Sequence, residues 1–207
     1  MKKSILMLNS LLIIILLMGC SANKGVINKH LKDKALLSAF KKLNISKTFI
    51  AKEKVEVFGY AYEEITYVSG QNIKSETKDG AINIYNAKEQ TSYAYIKGEK
   101  KGFKSTKDKQ TFYDMNEIYT SDITFAKIIK YNNEDVLYVE VSDDIQTEKL
   151  VLWISLKYAY PLKVNMYIAD QLFLVKEVSE IAEYTEDTKN LFIPPDYIIF
   201  DDYANAS

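Results

Sequence analysis

An alternation of apolar and polar residues with a period of two runs through the C-terminal half of this 207-residue chain. In residues 162–168, Leu162, Val164, Met166 and Ile168 alternate with more polar neighbours. Successive side chains of a strand point to opposite faces, so this spacing predicts a strand with these four side chains inward. The same spacing predicts four more strands, over residues 123–131, 135–142, 149–155 and 171–184. In two of these strands the spacing places on the inward face Leu137, Val139, Val141, Leu150, Leu152 and Ile154.

A similar pattern with many aromatic side chains occupies residues 54–96. It predicts a first strand over residues 54–62 with Phe58, Tyr60 and Tyr62 on one face. Further strands are expected at residues 65–69, 71–78, 82–85 and 93–96. Many short strands of this kind indicate a mostly antiparallel β domain.

Turn signals separate these runs. Asp79-Gly80 is a hairpin signal, and tight turns are expected at Gly70, Asn132-Asn133 and Ala169-Asp170. The charged residues 97–109 predict an exposed turn or a weak edge hairpin.

Two segments have helical rather than extended patterns. Residues 29–43 carry Leu31, Leu36 and Phe40 on one face, which predicts an amphipathic N-terminal helix, and residues 112–119 predict a short helix. His30, at the start of the first helix, is expected to be solvated and to have no role. The predicted fold class is therefore α+β, mostly antiparallel β with few helices and with the N-terminal helix against the sheet.

The first twenty residues are typical of an export signal. Lys2 and Lys3 precede an apolar stretch over residues 5–18, which is shorter than the roughly 20 residues that a membrane-spanning helix needs. The stretch ends in Leu17-Met18-Gly19-Cys20, which resembles the lipobox of bacterial lipoproteins. The resemblance implies lipid attachment to the Cys20 sulfur and cleavage before it. The alternative is an ordinary secretory signal in which Cys20 has no special part.

This interpretation predicts three segments: a signal peptide over residues 1–19, the lipidated Cys20 with a tether to residue 28, and one domain over residues 29–207. The protein is then expected on the extracytoplasmic face of the cell or forespore membrane. More than one acyl chain is needed for stable anchoring.

Composition argues against several classes of function. Lys is the only strongly basic residue, because the chain has no Arg, and 27 Lys nearly balance 28 acidic side chains, so nucleic acid is not an expected partner. One His and one Cys leave little for a metal cluster or a Ser-His-Asp triad. The Glu63-Glu64 pair is unsuited to acid–base work, since neighbours on a strand face opposite ways. We therefore expect no cofactor, no metal site, no catalytic residues and no enzymatic activity.

Several predicted strands have two partly apolar faces, as where Trp153 adjoins Leu152 and Phe173 adjoins Leu174. Such a sheet needs cover on both faces or a cavity on one. One interpretation packs the N-terminal helix on one face and leaves Tyr hydroxyls in water on the other. The second is a curved sheet whose aromatic-lined face holds an acyl chain or a partner segment.

Short motifs in the mature chain resemble the LolA/LolB superfamily of lipoprotein carriers. They are Val151-Leu152-Trp153-Ile154, Tyr160-Pro161-Leu162-Lys163, the hairpin from Asp79-Gly80 to Tyr85-Asn86, and the terminal Asn190-Leu191-Phe192-Ile193-Pro194-Pro195-Asp196-Tyr197. The resemblance implies an unclosed, curved antiparallel half-barrel whose inner side binds acyl chains or another protein. The chain departs from the soluble carriers in having a lipobox and in lacking the Arg that holds their lid.

Among lipoproteins of this size, the chain is most similar to clostridial spore-germination lipoproteins. That resemblance implies a non-enzymatic role: binding and activating a zinc-dependent cortex amidase, so that muramic-δ-lactam forms in spore peptidoglycan. Zinc would belong to the partner, and no partner-binding residues can be assigned. The alternative is a carrier that holds acyl lipid in the concave face.

Overall fold

The computed structural model describes residues 38, 39, 43, 47–106, 123–142, 148–188 and 190–202. Within them the chain forms twelve strands. In chain order these are β1 (Thr48–Val57), β2 (Tyr60–Ser69), β3 (Asn72–Thr77), β4 (Ala81–Asn86), β5 (Thr91–Ile96), β6 (Lys101–Ser105), β7 (Ile123–Tyr131), β8 (Glu134–Ser142), β9 (Glu148–Ser155), β10 (Tyr160–Ile168), β11 (Gln171–Glu183) and β12 (Ile199–Asp202).

All twelve strands belong to one sheet with the order β12-β6-β5-β4-β3-β2-β1-β11-β10-β9-β8-β7. Every neighbouring pair is antiparallel except β12 and β6, which are parallel. The two end strands, β7 and β12, do not pair with each other, so the sheet is unclosed. This confirms the predicted mostly antiparallel architecture.

The central strand β1 defines the two faces of the sheet. Its odd-numbered side chains, from Phe49 to Val57, are all buried, whereas the even-numbered ones are half-buried or exposed. We call the buried side the core face and the opposite side the outer face. The odd positions of β1 pair with Val68 of β2 and Leu174 of β11, among others, so the core face extends to both sides.

A large apolar cluster fills the core face from β1 to β7. It contains the inward side chains predicted for the C-terminal half, including Leu137, Leu152, Val164 and Met166, which are buried. Val141, Leu150 and Ile168 pack against it as partly buried neighbours. The period-two alternation therefore predicted correctly the strands of the C-terminal half and which of their side chains face inward.

Strands β4 and β5 are covered on the outer face as well. Ile82, Ile84 and Tyr95 lie on that face and are buried under Phe192 and Ile198 of the C-terminal segment. The sequence predicted a need for such cover from the strands of Trp153 and Phe173, whereas the cover seen here lies on β4 and β5. Residues 191–200 supply it, so the cover comes from the C-terminal end of the chain.

The turns match the sequence signals with one exception. Asn132-Asn133 and Ala169-Asp170 have positive φ at both residues, as two-residue hairpin turns require. The predicted strand over residues 54–62 is wrong, because the chain reverses at Phe58 and Gly59, with φ of 51° and 75°. The first strand instead begins at Thr48 and ends at Val57. The charged stretch after residue 97 contains β6.

Both predicted helices lie almost entirely outside the described residues. Of residues 29–43, only Ser38, Ala39 and Leu43 are described; Ser38 and Ala39 have helical backbone, and Leu43 packs against the large core cluster. Residues 112–119, the signal peptide and the tether are outside the described part.

Candidate functional site

A carboxylate is buried at the centre of the core face. Glu53 lies on β1, and its side chain has no accessible surface. Its Oε1 accepts a hydrogen bond from the Tyr160 hydroxyl at 2.8 Å, and its Oε2 accepts one from the Thr66 hydroxyl. Lys176 of β11 places Nζ 2.9 Å from Glu53 Oε2 and 2.8 Å from Glu64 Oε1. We call these five residues the central polar network.

Burial has the largest effect on the pKa of the Glu53 carboxyl group in this network. It raises the pKa of Glu53 above its ordinary value, and the nearby Glu64 carboxylate acts in the same direction, while Lys176 opposes both. Both Glu53 oxygens have donors, and the side chain is closed to solvent. The arrangement therefore fastens β1, β2, β10 and β11 together and does not present a general acid or base to a substrate.

A cavity of about 390 Å³ is bordered by β1, β2, β3 and β11. Charged side chains dominate its lining, and Ile65 is its one aliphatic member. The charged members are Lys52, Lys54, Glu63, Glu64, Glu76 and Lys78, and Glu53 also borders the cavity although its side chain has no accessible surface. Pockets for apolar ligands are lined mostly by hydrophobic side chains. Whole apolar side chains are thus few in this cavity, and the carbon stems of its Lys and Glu residues form much of its surface.

One end of the sheet exposes an apolar surface where two hairpins lie side by side. Phe58, Tyr60 and Leu172 are 75%, 58% and 51% exposed, and we call them the tip patch. The Phe58 ring packs edge-on against Phe173 with centroids 4.3 Å apart, and the Phe58 N–H donates to the Phe173 carbonyl at 3.1 Å. A left-handed backbone costs a non-glycine residue about 1–2 kcal/mol, so Phe58 occupies a strained position.

A second exposed apolar surface lies on the C-terminal segment at the β12 edge. Ile193, Tyr197 and Ile199 are 50%, 62% and 64% exposed, and we call them the edge patch. The segment is held firmly from beneath, because Phe192 and Ile198 are buried and the Phe200 ring packs on Tyr93 with centroids 5.0 Å apart. The Ile199 N–H also donates to the Lys100 carbonyl at 2.9 Å.

Gly102 makes the docking of this segment possible. A Cβ built at Gly102 would lie 2.7 Å from a ring carbon of Phe200 and 2.8 Å from the carbonyl oxygen of Ala94. Both distances are shorter than real Cβ contacts, and Ala94 contributes backbone, which cannot move aside cheaply. The absence of a side chain at Gly102 therefore lets β12 lie against β6.

The site residues predicted from the sequence, Leu17, Met18, Gly19 and Cys20, lie outside the described residues, as does His30. Within the described part, no group of three His, Cys, Asp or Glu side chains could hold a metal ion. The same residues include no helix of the length and apolarity needed to cross a membrane. Glu63 and Glu64 face opposite sides of β2, as expected, but Glu64 contacts Lys176 on the core face.

Sequence reasoning missed the central polar network and both patches. A signal for Glu53 was present, because it falls in the odd-numbered series of β1 between Ala51 and Val55, whose other members are apolar. Phe58 gave no usable signal, since Phe is not a turn residue and the alternation continues through it. The edge patch depends on the pairing of β12 with β6, which no local pattern indicates.

Several solved structures have a fold similar to that of this chain. No protein-family model matches the chain, and no curated protein matches its sequence. An uncharacterized conserved protein from Thermus thermophilus is similar, with a TM-score of 0.60, 11% identity, and coverage of 82% of this chain and 98% of that chain. At this identity the similarity shows the fold alone.

PNGF-II is also similar, with a TM-score of 0.52 and 10% identity, over 76% of this chain. The aligned part is 32% of the PNGF-II chain, so this chain spans about a third of that protein. The Pseudomonas aeruginosa MucA/MucB complex gives a TM-score of 0.49 and 11% identity, over 79% of this chain and 61% of that chain.

Proposed function

We propose that this protein is a membrane-anchored lipoprotein that acts by binding another protein and does not catalyse a reaction. The observation that carries the proposal is the edge patch, in which Ile193, Tyr197 and Ile199 expose apolar side chains within seven residues of a firmly held segment. Apolar patches rimmed by polar residues mark interaction sites, and aromatic side chains are enriched in protein interfaces.

The architecture of the edge supports this use of the patch. Phe192, Ile198 and Phe200 fix the segment to the sheet, so a partner meets a surface that is already ordered. A preorganised surface loses little conformational entropy on binding. Lys101 on β6 and Asp201 on β12 supply charged groups beside the apolar centre, which is the usual arrangement of a protein interface.

The proposed fold type is the LolA/LolB half-barrel, and the proposed partner comes from the sequence resemblance. The chain resembles the clostridial spore-germination lipoprotein GerS, which implies a zinc-dependent cortex amidase as partner and a role in forming muramic-δ-lactam. Zinc belongs to the amidase in this proposal. A partner that binds only the metal-loaded enzyme raises the population of that state, by about 2.7 kcal/mol at a hundredfold excess over Kd.

The proposed location is the extracytoplasmic face of the cell or forespore membrane, with the lipid on Cys20. The run Leu17-Met18-Gly19-Cys20 supports this location through its resemblance to a lipobox. The other function considered from the sequence is an acyl-lipid carrier, for which the cavity bordered by β1 and β2 offers a single aliphatic side chain, Ile65.

The proposal is tested by measuring the affinity between the lipoprotein and the purified cortex amidase of the same organism. The double variant Tyr197→Ser/Ile199→Ser should weaken binding by about tenfold or more, since central interface residues contribute over 1 kcal/mol each. The zinc retained by the amidase should fall with the affinity.

Phe125→Ser is the matched control, because Phe125 is another exposed aromatic residue but lies on β7 at the opposite edge of the sheet. It should leave the affinity unchanged. If the parent protein fails to bind the amidase and instead extracts acyl lipid from vesicles, the carrier function replaces the one proposed.

A further inference from the structure

We propose that the tip patch, formed by Phe58, Tyr60 and Leu172, inserts into the interface of the lipid bilayer to which the protein is anchored. The inference rests on the proposed function for the anchor at Cys20 and adds a second point of membrane contact. That contact would fix the orientation of the sheet relative to the membrane, which a lipid on a tether alone leaves free.

The first reason is that a Phe, Phe58, occupies a turn position that favours other residue types. Phe58 has a φ of 51° in a two-residue turn, where Asn, Asp or Gly is favoured. A bulky residue in this backbone region is a true outlier, and strained positions of this kind cluster at functional sites. The ring is three-quarters exposed, so its edge-on contact with Phe173 buries only a small part of it in return. The position is therefore better explained by something that the ring contacts outside the protein.

The second reason is that the ring is held in place. Phe58 packs edge-on against Phe173, which is itself buried in the large core cluster, and its N–H donates to the Phe173 carbonyl. Tyr60 and Leu172 follow on the two adjacent hairpins. An aromatic and aliphatic surface presented on a rigid tip is the kind of surface that enters the headgroup region, where Tyr is favoured for its polar end.

The third reason is the position of the anchor-bearing chain. Leu43 packs against the same core cluster that contains Val57 and Phe173, so the chain leading from Cys20 meets the core face on the cluster that borders the tip patch. Between Cys20 and Leu43 there are 23 residue steps, and each step of a chain spans at most about 3.3–3.6 Å. The anchor therefore holds the tip patch within reach of the bilayer.

Charge around the patch identifies the type of membrane contact. Within two residues of its members the charged side chains are Glu56 and Asp170, and no Lys is present. Burial of apolar surface must therefore drive the contact, without attraction to anionic lipid. Zwitterionic phosphatidylcholine should suffice, and salt should have little effect.

The test uses the full lipidated chain, purified from its own membranes and reconstituted into phosphatidylcholine vesicles that contain brominated lipid. The chain has a single Trp, so the parent protein supplies the background emission. Phe58→Trp should lose roughly half of its added emission, because the interface places apolar side chains about 5–10 Å into the headgroup and acyl boundary. Phe125→Trp and Ile199→Trp are exposed controls away from the tip and should not be quenched.

Three results would overturn the inference. The first is equal quenching at positions 58 and 125 in a protein whose Cys20 carries lipid. The second is a clear loss of thermal stability in Phe58→Asn, since Asn tolerates positive φ and such a loss would assign the ring to packing on Phe173. The third is loss of amidase binding in Phe58→Asn, which would make the tip patch a protein interface.

Fatty-acid labelling of Cys20 tests the proposed anchor separately. A protein without label refutes the proposed anchor and with it this inference, whereas a labelled protein without quenching refutes the tip contact alone.

Discussion

Replacing Lys176 with Met should destabilise the domain far more than removing an exposed lysine does. The ammonium group lies 2.9 Å from Glu53 and 2.8 Å from Glu64, and only 10% of its side chain is accessible. A charge-assisted hydrogen bond contributes about 1.5–3 kcal/mol. Removing one partner of a buried pair costs about 3–5 kcal/mol, because the remaining charge loses its compensation. We expect a loss in this range for Lys176→Met at pH 7.

Lys52→Met is the matched control. Lys52 is 2.6 Å from Glu180 on the outer face, where the two side chains are 54% and 58% exposed. Exposed pairs of this kind contribute less than about 1 kcal/mol. The free energy of unfolding is measured by urea titration of the polypeptide from residue 21 onward, with the slope checked for constancy.

A double-mutant cycle separates the charge effect from simple loss of packing. In Lys176→Met/Glu53→Gln the uncompensated carboxylate is gone, so the loss should be smaller than the sum of the two single losses, by about 0.5–3 kcal/mol. If Lys176→Met is no more destabilising than Lys52→Met, or if the two central substitutions are additive, the central polar network does not stabilise the sheet as described.

Four other changes have defined expected outcomes. Burial raises the pKa of Glu53 in the folded protein, so as the pH rises the unfolded chain releases this proton first. The stability that the group contributes therefore falls as the pH rises from about 4.5 upward. In Glu53→Gln the free energy of unfolding should depend less on pH over that range. Met166→Asp should cost several kcal/mol, because Met166 is buried among apolar side chains, and a melting curve equal to the parent's would contradict this. Gly102→Ala should displace Phe200 and so increase protease cleavage near the C-terminus. A cleavage rate equal to the parent's would contradict this. Cys20→Ala should abolish fatty-acid labelling while the domain still folds, and retained label would refute the lipobox assignment.

The sequence predicted the C-terminal half well because its signals are local. In residues 162–168 the alternation determines which side chains face inward, and Asn132-Asn133 and Ala169-Asp170 supply backbone conformations that two-residue hairpins require. Neither inference needs information about distant parts of the chain. Strand limits in β7 to β11 were accordingly within about two residues of those observed.

The features that failed depend on long-range contacts. The turn at Phe58 is stabilised by Phe173, which lies 115 positions further along the chain, so the aromatic alternation was extended through it. Glu53 acquires its setting only when β1 is placed between β2 and β11. The edge patch exists because β12 returns to β6, and nothing within residues 190–202 specifies that partner.

The position of β1 in the strand order has a consequence for synthesis of the chain. β1 pairs on one side with β2, which follows it at once, and on the other with β11, so that Phe49 meets Glu183. A ribosome makes these two residues far apart in time. Until β11 has emerged, one edge of β1 has no strand to pair with and Glu53 remains without Lys176. This part of the sheet therefore stays incompletely folded through most of the translation of the chain.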